Sequence, residues 1–283
     1  MVYTRNIGAM SIACLISKIL KVDYKIHNIY MEGLNIRYVG SKNKISKEIV
    51  PIVQKYINEN NIHIYFEPFV GGANMIDKIK CDIRIGNDIN QYLIALLKHT
   101  QKCAYDIPNR IMESEYINVK NNKDKFPDWY VGLVGFCSSF GAKFFGGYAR
   151  DSRSDNSGKW SVGAIQNLKK QEPNIKSVKF TSTDYLTLDE TKMKNWVIYC
   201  DPPYQGTTKY DNRKFEYDVF WQWVRDVSKN NCVFVSEYSA PKDFECIWQK
   251  KCKTLLDSNK NMDDKENIRI ERLFVYKDIK SLL

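Results

Sequence analysis

Apolar residues recur at helical spacing after Lys42. Ile45, Ile49, Ile52, Val53 and Tyr56 fall on one face and predict a helix, with Pro51 marking a kink or a new first turn. The period then changes. Residues 62–66 (IHIYF) predict a short strand running into Glu67-Pro68-Phe69-Val70-Gly71-Gly72. A second apolar run, 83–85, ends at Gly86-Asn87-Asp88, and 91–98 (QYLIALLK) predict another helix. Short buried runs alternating with helices predict a parallel α/β sheet. From about Tyr105 to Lys176 the rhythm breaks. This stretch is rich in Asn, Lys, Gly and aromatics, with a polar, basic run at 150–159, and it reads as an insertion. The strand rhythm resumes at 178–181, 196–200 (WVIYC) and 232–235 (CVFV), and 268–276 alternate as a final strand pair. The mixed charges of 257–267 predict a solvated loop.

This pattern divides the chain into an N-terminal extension of open status (1–30), a sheet domain in two parts (31–104 and 178–283), and the insertion (105–177). The most apolar stretch of the extension, 7–20, is interrupted by Ser11, Ser17 and Lys18. It predicts an amphipathic helix packed on the main body, or an extension upstream of the true core, rather than a secretion signal, and no segment is long and apolar enough to span a bilayer.

Composition narrows the partners. The 283 residues carry 43 Lys and Arg against 33 Asp and Glu, a formal charge of +10. Such a surplus concentrates polyanions, with nucleic acid the usual one and an anionic membrane surface the alternative. Eight cysteines are scattered without a CxxC, and three histidines are isolated, so no metal is expected; reduced thiols in a cytoplasmic protein are the simpler reading.

The chemistry concentrates at the end of the run 196–200, in Asp201-Pro202-Pro203-Tyr204. Ligands of open α/β sheets bind at the carboxyl ends of strands. Two prolines fix an extended turn and remove two donors, leaving the Pro202 carbonyl free to face a ligand. With the Asp201 carboxylate it makes a pair of acceptors suited to an exocyclic amino group and its two N–H donors. Tyr204 offers a flat face on which a base stacks. Such a site holds the amine of a base flipped out of its duplex. The plain alternative is a proline turn with a buried aspartate.

The earlier loops fit a companion ligand. Gly71 and Gly72 let a ligand approach the backbone, or simply make a tight turn. Asp88 is placed to take ribose hydroxyls, or to cap the helix that follows. Lys42 is a cation for a carboxylate, or an ordinary surface lysine. Tyr38 packs on a ligand or in the core.

Taken in order, Tyr38-Val39-Gly40-Ser41-Lys42, Glu67–Gly72, Asp88-Ile89-Asn90, Asp201–Tyr204, the tract 233–241 (VFVSEYSAP) and 271–277 (ERLFVYK) resemble the Dam-type family of S-adenosylmethionine-dependent DNA adenine methyltransferases, over most of residues 35–278. The resemblance implies a Rossmann-like class I methyltransferase sheet with an inserted DNA-recognition subdomain. It implies methyl transfer from S-adenosylmethionine to the 6-amino group of a flipped adenine, site-specifically, in double-stranded DNA. Asp201, Pro202 and Tyr204 are then the catalytic residues. Tyr38, Lys42, Glu67, Phe69, Gly71, Asp88, Asp184 and Asp201 contact the cofactor or the transfer site. The expected setting is the cytoplasm of a bacterium or a phage-infected host, as part of restriction-modification or phage protection.

The insertion is the expected DNA reader. Lys143, Arg150, Arg153, Lys159, Lys169 and Lys170 stand to meet phosphates. Phe140, Phe144, Phe145 and Tyr148 either wedge into the duplex or form a small core. The asparagine-and-proline signature of better-known relatives is missing there, so GATC does not follow as the target. A methyltransferase acting on DNA cytosine, RNA adenine or protein glutamine, and a catalytically inactive DNA-binding regulator, are the alternatives. Oligomeric state is not legible.

Overall fold

The computed structural model describes residues 42–150, 158–205, 215–253 and 268–277. The 1–30 extension with its 7–20 stretch, Tyr38, Arg153 and the 257–267 loop lie outside the described residues. In chain order the elements are α1 (Asn43–Glu59), β1 (Ile64–Glu67), β2 (Ile83–Asn87), α2 (Gln91–Cys103), α3 (Glu113–Asn121), α4 (Asp128–Cys137), α5 (Lys159–Ile175), β3 (Lys179–Thr181), β4 (Val197–Cys200), α6 (Tyr217–Ser228), β5 (Cys232–Glu237), β6 (Phe244–Lys253) and β7 (Ile268–Tyr276).

The seven strands make one sheet in the order β3-β2-β1-β4-β5-β7-β6. Strands β1 to β5 run parallel, and β7 is antiparallel to both its neighbours. This mostly parallel seven-stranded α/β sheet is the Rossmann-like architecture that the resemblance implies. The order reverses between β1 and β4, which is where open sheets of this kind form a crevice at the carboxyl ends of their strands.

Strict alternation assigns the two faces. Tyr65, Val197, Tyr199, Cys232, Phe234, Leu273 and Val275 enter one core cluster, with the apolar sides of α1, α2, α4 and α5. Phe66, Ile198, Cys200, Val233, Val235 and Phe274 enter the other, under Phe220, Trp221, Trp223, Val224 and Val227 of α6. Strands covered on both faces read as continuous apolar runs, which is why WVIYC and CVFV stand out in the sequence.

Helix α1 buries Ile45, Ile49, Val53, Tyr56 and Ile57 and continues unbroken through Pro51. Burial of that face offsets an interior proline, which costs a helix about 3 kcal/mol. Helix α4 comes close to α2 at Gly132, where a Cβ would stand 2.2 Å from the Tyr92 carbonyl oxygen. The end of the chain differs from expectation. Residues 268–276 are one strand, and its hairpin partner is β6, whose register shifts between Cys246 and Trp248. That irregularity breaks the two-residue alternation and hides β6 from pattern reading.

Candidate functional site

Strands β2, β1, β4 and β5 end side by side, and each end carries a polar group. At the end of β1, Glu67 is buried and accepts a hydrogen bond from the Tyr65 hydroxyl at 2.8 Å. Burial holds its carboxyl well above the usual range, and the nearby Asp77 and Asp201 carboxylates push the same way. The loop that follows turns at Gly71, whose φ of 49° suits a residue without a Cβ. The Val70 amide donates to the Asn87 carbonyl at 2.7 Å. Phe69 packs on Tyr185, Phe215 and Phe220.

At the end of β2, Asn87 ties three loops together. Its side-chain amide donates to the carbonyls of Pro68 and Thr183, and its side-chain oxygen accepts from Thr181 and Thr183. Asp88 follows, buried. One of its oxygens accepts from the Gly71 amide at 3.1 Å and the other from the Asn90 amide at 2.9 Å. Burial pushes its pKa up to about 6 despite these two donors. Capping of α2 falls to Asn90, whose side chain accepts from the Leu93 amide at 3.1 Å. Asp88 is thus left holding the glycine loop to the end of β2. Ile89 beside it is exposed. Asp184, after β3, accepts from the Leu186 amide at 3.0 Å, and Leu186 is exposed.

The densest chemistry lies at the end of β4. Lys42, at the start of α1, is 6% exposed, and its Nζ stands 3.1 Å from Asp201 Oδ1 and 3.7 Å from Glu271 Oε2. Burial alone would lower this ammonium; Asp201 and Glu271 outweigh it and leave its pKa raised. Desolvation lifts Asp201 to about 6, against the opposing pull of Lys42, and Glu271 adds to the rise. The Lys42 ammonium also sits 4.1 Å from the centroid of the Tyr204 ring. The Tyr204 hydroxyl donates to Glu271 Oε2 at 3.0 Å, and the Tyr238 ring meets it edge-on at 4.6 Å. Pro202 is buried in the turn. Cys200, immediately before, is buried with its thiol pushed well up by desolvation.

The residues singled out from sequence therefore divide. Lys42, Asp201 and Tyr204 form one contact set, with Glu67 close enough to feel Asp201. Gly71 and Asp88 form another. Lys42 is tied to Asp201 and Glu271, and its charge faces the end of β4. Two residues went unassigned in the sequence. Glu271 enters from β7 and binds both Lys42 and Tyr204. Glu237, at the end of β5, is buried and accepts from the amides of Gln205 (2.7 Å) and Tyr238, fixing the turn beyond Tyr204. Their signal was the pair of tracts VFVSEYSAP and ERLFVYK, each with an acid at the site end of its strand.

In the 105–177 segment, Phe145 is buried and Phe144 and Tyr148 pack against the core, whereas Phe140 is 67% exposed. Its loop is closed by hydrogen bonds from the Phe140 amide to the Gly147 carbonyl and from the Ala149 amide to the Ser138 carbonyl, both 2.8 Å. Phe140 stacks on Trp160 at 6.4 Å. Arg150 makes a two-pronged pair with Glu113. Lys169 donates to Asn109, and Lys159 and Lys170 are exposed; Lys143 is half-buried. Among the described residues no helix is long and apolar enough to cross a membrane.

The chain is similar to known methyltransferases. The type II methyltransferase M.FokI of Planomicrobium okeanokoites is 27% identical over 199 residues, covering 61% of this chain and 29% of that protein. The chain thus spans less than a third of that relative's length. The type II methyltransferase M.MjaIII of Methanocaldococcus jannaschii is 24% identical over 246 residues, covering 74% of this chain and 85% of that protein. The profile of the D12 class N6 adenine-specific DNA methyltransferases matches residues 38–130 and 130–233. That match takes in the glycine loop, Asp88 and Asp201–Tyr204, and the chain belongs to this family of D12 class N6 adenine-specific DNA methyltransferases.

Proposed function

We propose that the protein methylates the 6-amino group of adenine in double-stranded DNA, site-specifically, with S-adenosylmethionine as methyl donor. The observation that carries this reading is the contact set Lys42–Asp201–Tyr204–Glu271 at the carboxyl end of β4. Asp201 is the catalytic acceptor. With a pKa of about 6 it is mostly ionised at neutral pH, so its carboxylate takes one amine N–H while the Pro202 carbonyl takes the other. Two acceptors on the amine favour a localised nitrogen lone pair, and a fixed, partly desolvated pair supplies positioning and electrostatics without a covalent enzyme intermediate. Lys42 keeps Asp201 charged and oriented. Tyr204, anchored through its hydroxyl by Glu271, gives the base an aromatic wall.

The donor set at β1 and β2 suits S-adenosylmethionine. A buried acid with one oxygen on the Gly71 amide and the other on the Asn90 amide retains lone pairs for ribose hydroxyls, and Ile89 and Leu186 offer exposed apolar surface for a purine. When bound, the cofactor supplies an activated methyl group on its sulfonium. Tyr38, Glu67, Phe69, Gly71, Asp88 and Asp184 complete this side of the proposed site. The segment 105–177 serves as the DNA-recognition part inserted between 31–104 and 178–283. Its exposed Phe140 and the cations Lys143, Arg150, Arg153 and Lys159 face the duplex in this reading.

The test is transfer of labelled methyl from S-adenosylmethionine to adenine-unmethylated DNA, followed by digestion to nucleosides. Wild type yields labelled 6-methyladenine, and Asp201→Ala loses it by about a hundred- to a thousandfold. Label on cytosine, on RNA or on protein alone, or none in wild type, refutes the assignment.

A further inference from the structure

The loop that follows β1 is held from behind by a helix distant in sequence. Gln171 lies on α5, and its side chain is buried to 1% exposure. Its Nε2 stands 3.1 Å from the Gly72 carbonyl, 3.0 Å from the Ala73 carbonyl and 3.1 Å from Asp77 Oδ2. Three acceptors converge on one NH₂ group, which has two hydrogens. The amide orientation follows from this, since the flipped amide would set its oxygen against three others. The Gln171 oxygen is buried with no hydrogen-bond partner, so the side chain's bonding is spent on the loop.

The loop needs such a hold. Ala73 has a φ of 56°, a left-handed conformation that a Cβ disfavours, yet no glycine occupies the position. Lys78 adds a second fastening by donating to the Asn74 carbonyl and to the other Asp77 oxygen. On the opposite side, the Gly71 amide is taken by Asp88. The glycine loop is therefore clamped between Asp88 on the sheet and Gln171 on the last helix of the 105–177 segment.

We infer that Gln171 is a positioning residue for cofactor binding: it sets the Gly72 and Ala73 backbone into the shape that receives the methyl donor, from a helix of the segment assigned to DNA. This rests on the cofactor reading given above. The hold acts through backbone carbonyls, so it needs the two N–H donors of an amide and not merely the volume of Gln171.

Two variants and two readouts test it. Gln171→Met keeps the volume and removes the donors; Gln171→Glu keeps the shape and sets a carboxylate against three acceptors. The first readout is amide hydrogen exchange in the protein without cofactor, at Ala73 and Asp77, whose N–H groups bond to Val70 and Ala73 within the loop. The second is the S-adenosylmethionine Kd by calorimetry, with KM and kcat alongside. In Gln171→Met, exchange at Ala73 and Asp77 rises about tenfold while Phe234 and Val235 of β5 change far less, and Kd and KM rise about tenfold with kcat within about twofold. Gln171→Glu is worse than Gln171→Met in both readouts. Uniform acceleration across loop and sheet, or unchanged loop exchange with unchanged Kd, overturns the inference. If neither variant folds, the wild type decides. Ala73 and Asp77 must then exchange no faster than the α5 amides that carry the clamp, and faster exchange overturns the inference. A wild type that binds no S-adenosylmethionine refutes the cofactor reading instead, and the exchange readout still judges the clamp.

Discussion

Replacing Glu271 with Gln removes a charge from the β4 site while keeping an oxygen for the Tyr204 hydroxyl. Asp201 Oδ1 and Glu271 Oε2 both lie on the Lys42 ammonium, at 3.1 and 3.7 Å. They are therefore at most about 7 Å apart, and at an effective dielectric of about 20 two unit charges at that distance repel by roughly 2.4 kcal/mol. That energy equals roughly 1.7 units of pKa at about 1.4 kcal/mol per unit. Asp201 and Glu271 are 23% and 15% exposed, so solvent screening trims the effect to about one unit. The sign is fixed. Glu271 raises Asp201, so removing its charge lowers Asp201 from about 6 toward the ordinary carboxylate value. Lys42, no longer shared, pulls in the same direction. Methyl transfer uses the ionised carboxylate in our reading, so the rate falls as pH drops through the Asp201 pKa. The acidic limb of kcat/KM, measured from pH 4.5 to 8.5, therefore lies near 6 in wild type and about one unit lower in Glu271→Gln. A limb that stays in place or moves upward, in a variant whose urea midpoint shows it folded, refutes the coupling.

Four further substitutions separate packing from function. Gly132→Ala forces a methyl against the Tyr92 carbonyl and destabilises the α2–α4 contact by about 2 kcal/mol or more, read as a lower urea midpoint. Tyr65→Phe keeps the ring but leaves buried Glu67 without its 2.8 Å donor, a loss of about 1–3 kcal/mol by the same measurement. Phe140→Ala changes stability by less than about 0.5 kcal/mol because its ring is exposed, whereas Phe145→Ala costs about 3–5 kcal/mol; thermal melts of the pair check both, and filter binding to duplex DNA shows an effect from Phe140 alone.

The legible parts of this protein are those whose signal is local. Strands covered on both faces announce themselves as apolar runs, and Asp201–Tyr204 stands directly after one of them. Helix α1 showed through its spacing, although Pro51 suggested a break that tertiary burial overrode. Strand β6 was illegible because its alternation slips at Cys246 and Trp248. The four aromatics of the insertion were ambiguous because exposure, which separates Phe140 from the other three, is a property of the folded loop. The partners of Glu271 and Gln171 were invisible for a different reason. Each acts on residues far away in sequence, and neither belongs to a short motif that names its partner. Asp88 showed its position but not its partners, since the cap it stood to provide comes from Asn90 two residues on.

The reversed direction of β7 sets a timetable. Because that strand runs against its neighbours, Glu271, near its start, comes to the same end of the sheet as Asp201. Lys42 and Glu271 are 229 residues apart (271 − 42), so the two partners of one buried ion pair leave the ribosome roughly ten to fifty seconds apart at about 5–20 residues per second. Over the last 70 residues of that interval, roughly four to fourteen seconds, the emerging protein holds Asp201 and its prolines but lacks the acid that fixes Tyr204. Prematurely terminated products that contain the whole tetrapeptide therefore lack the acid that ties Lys42 to Tyr204.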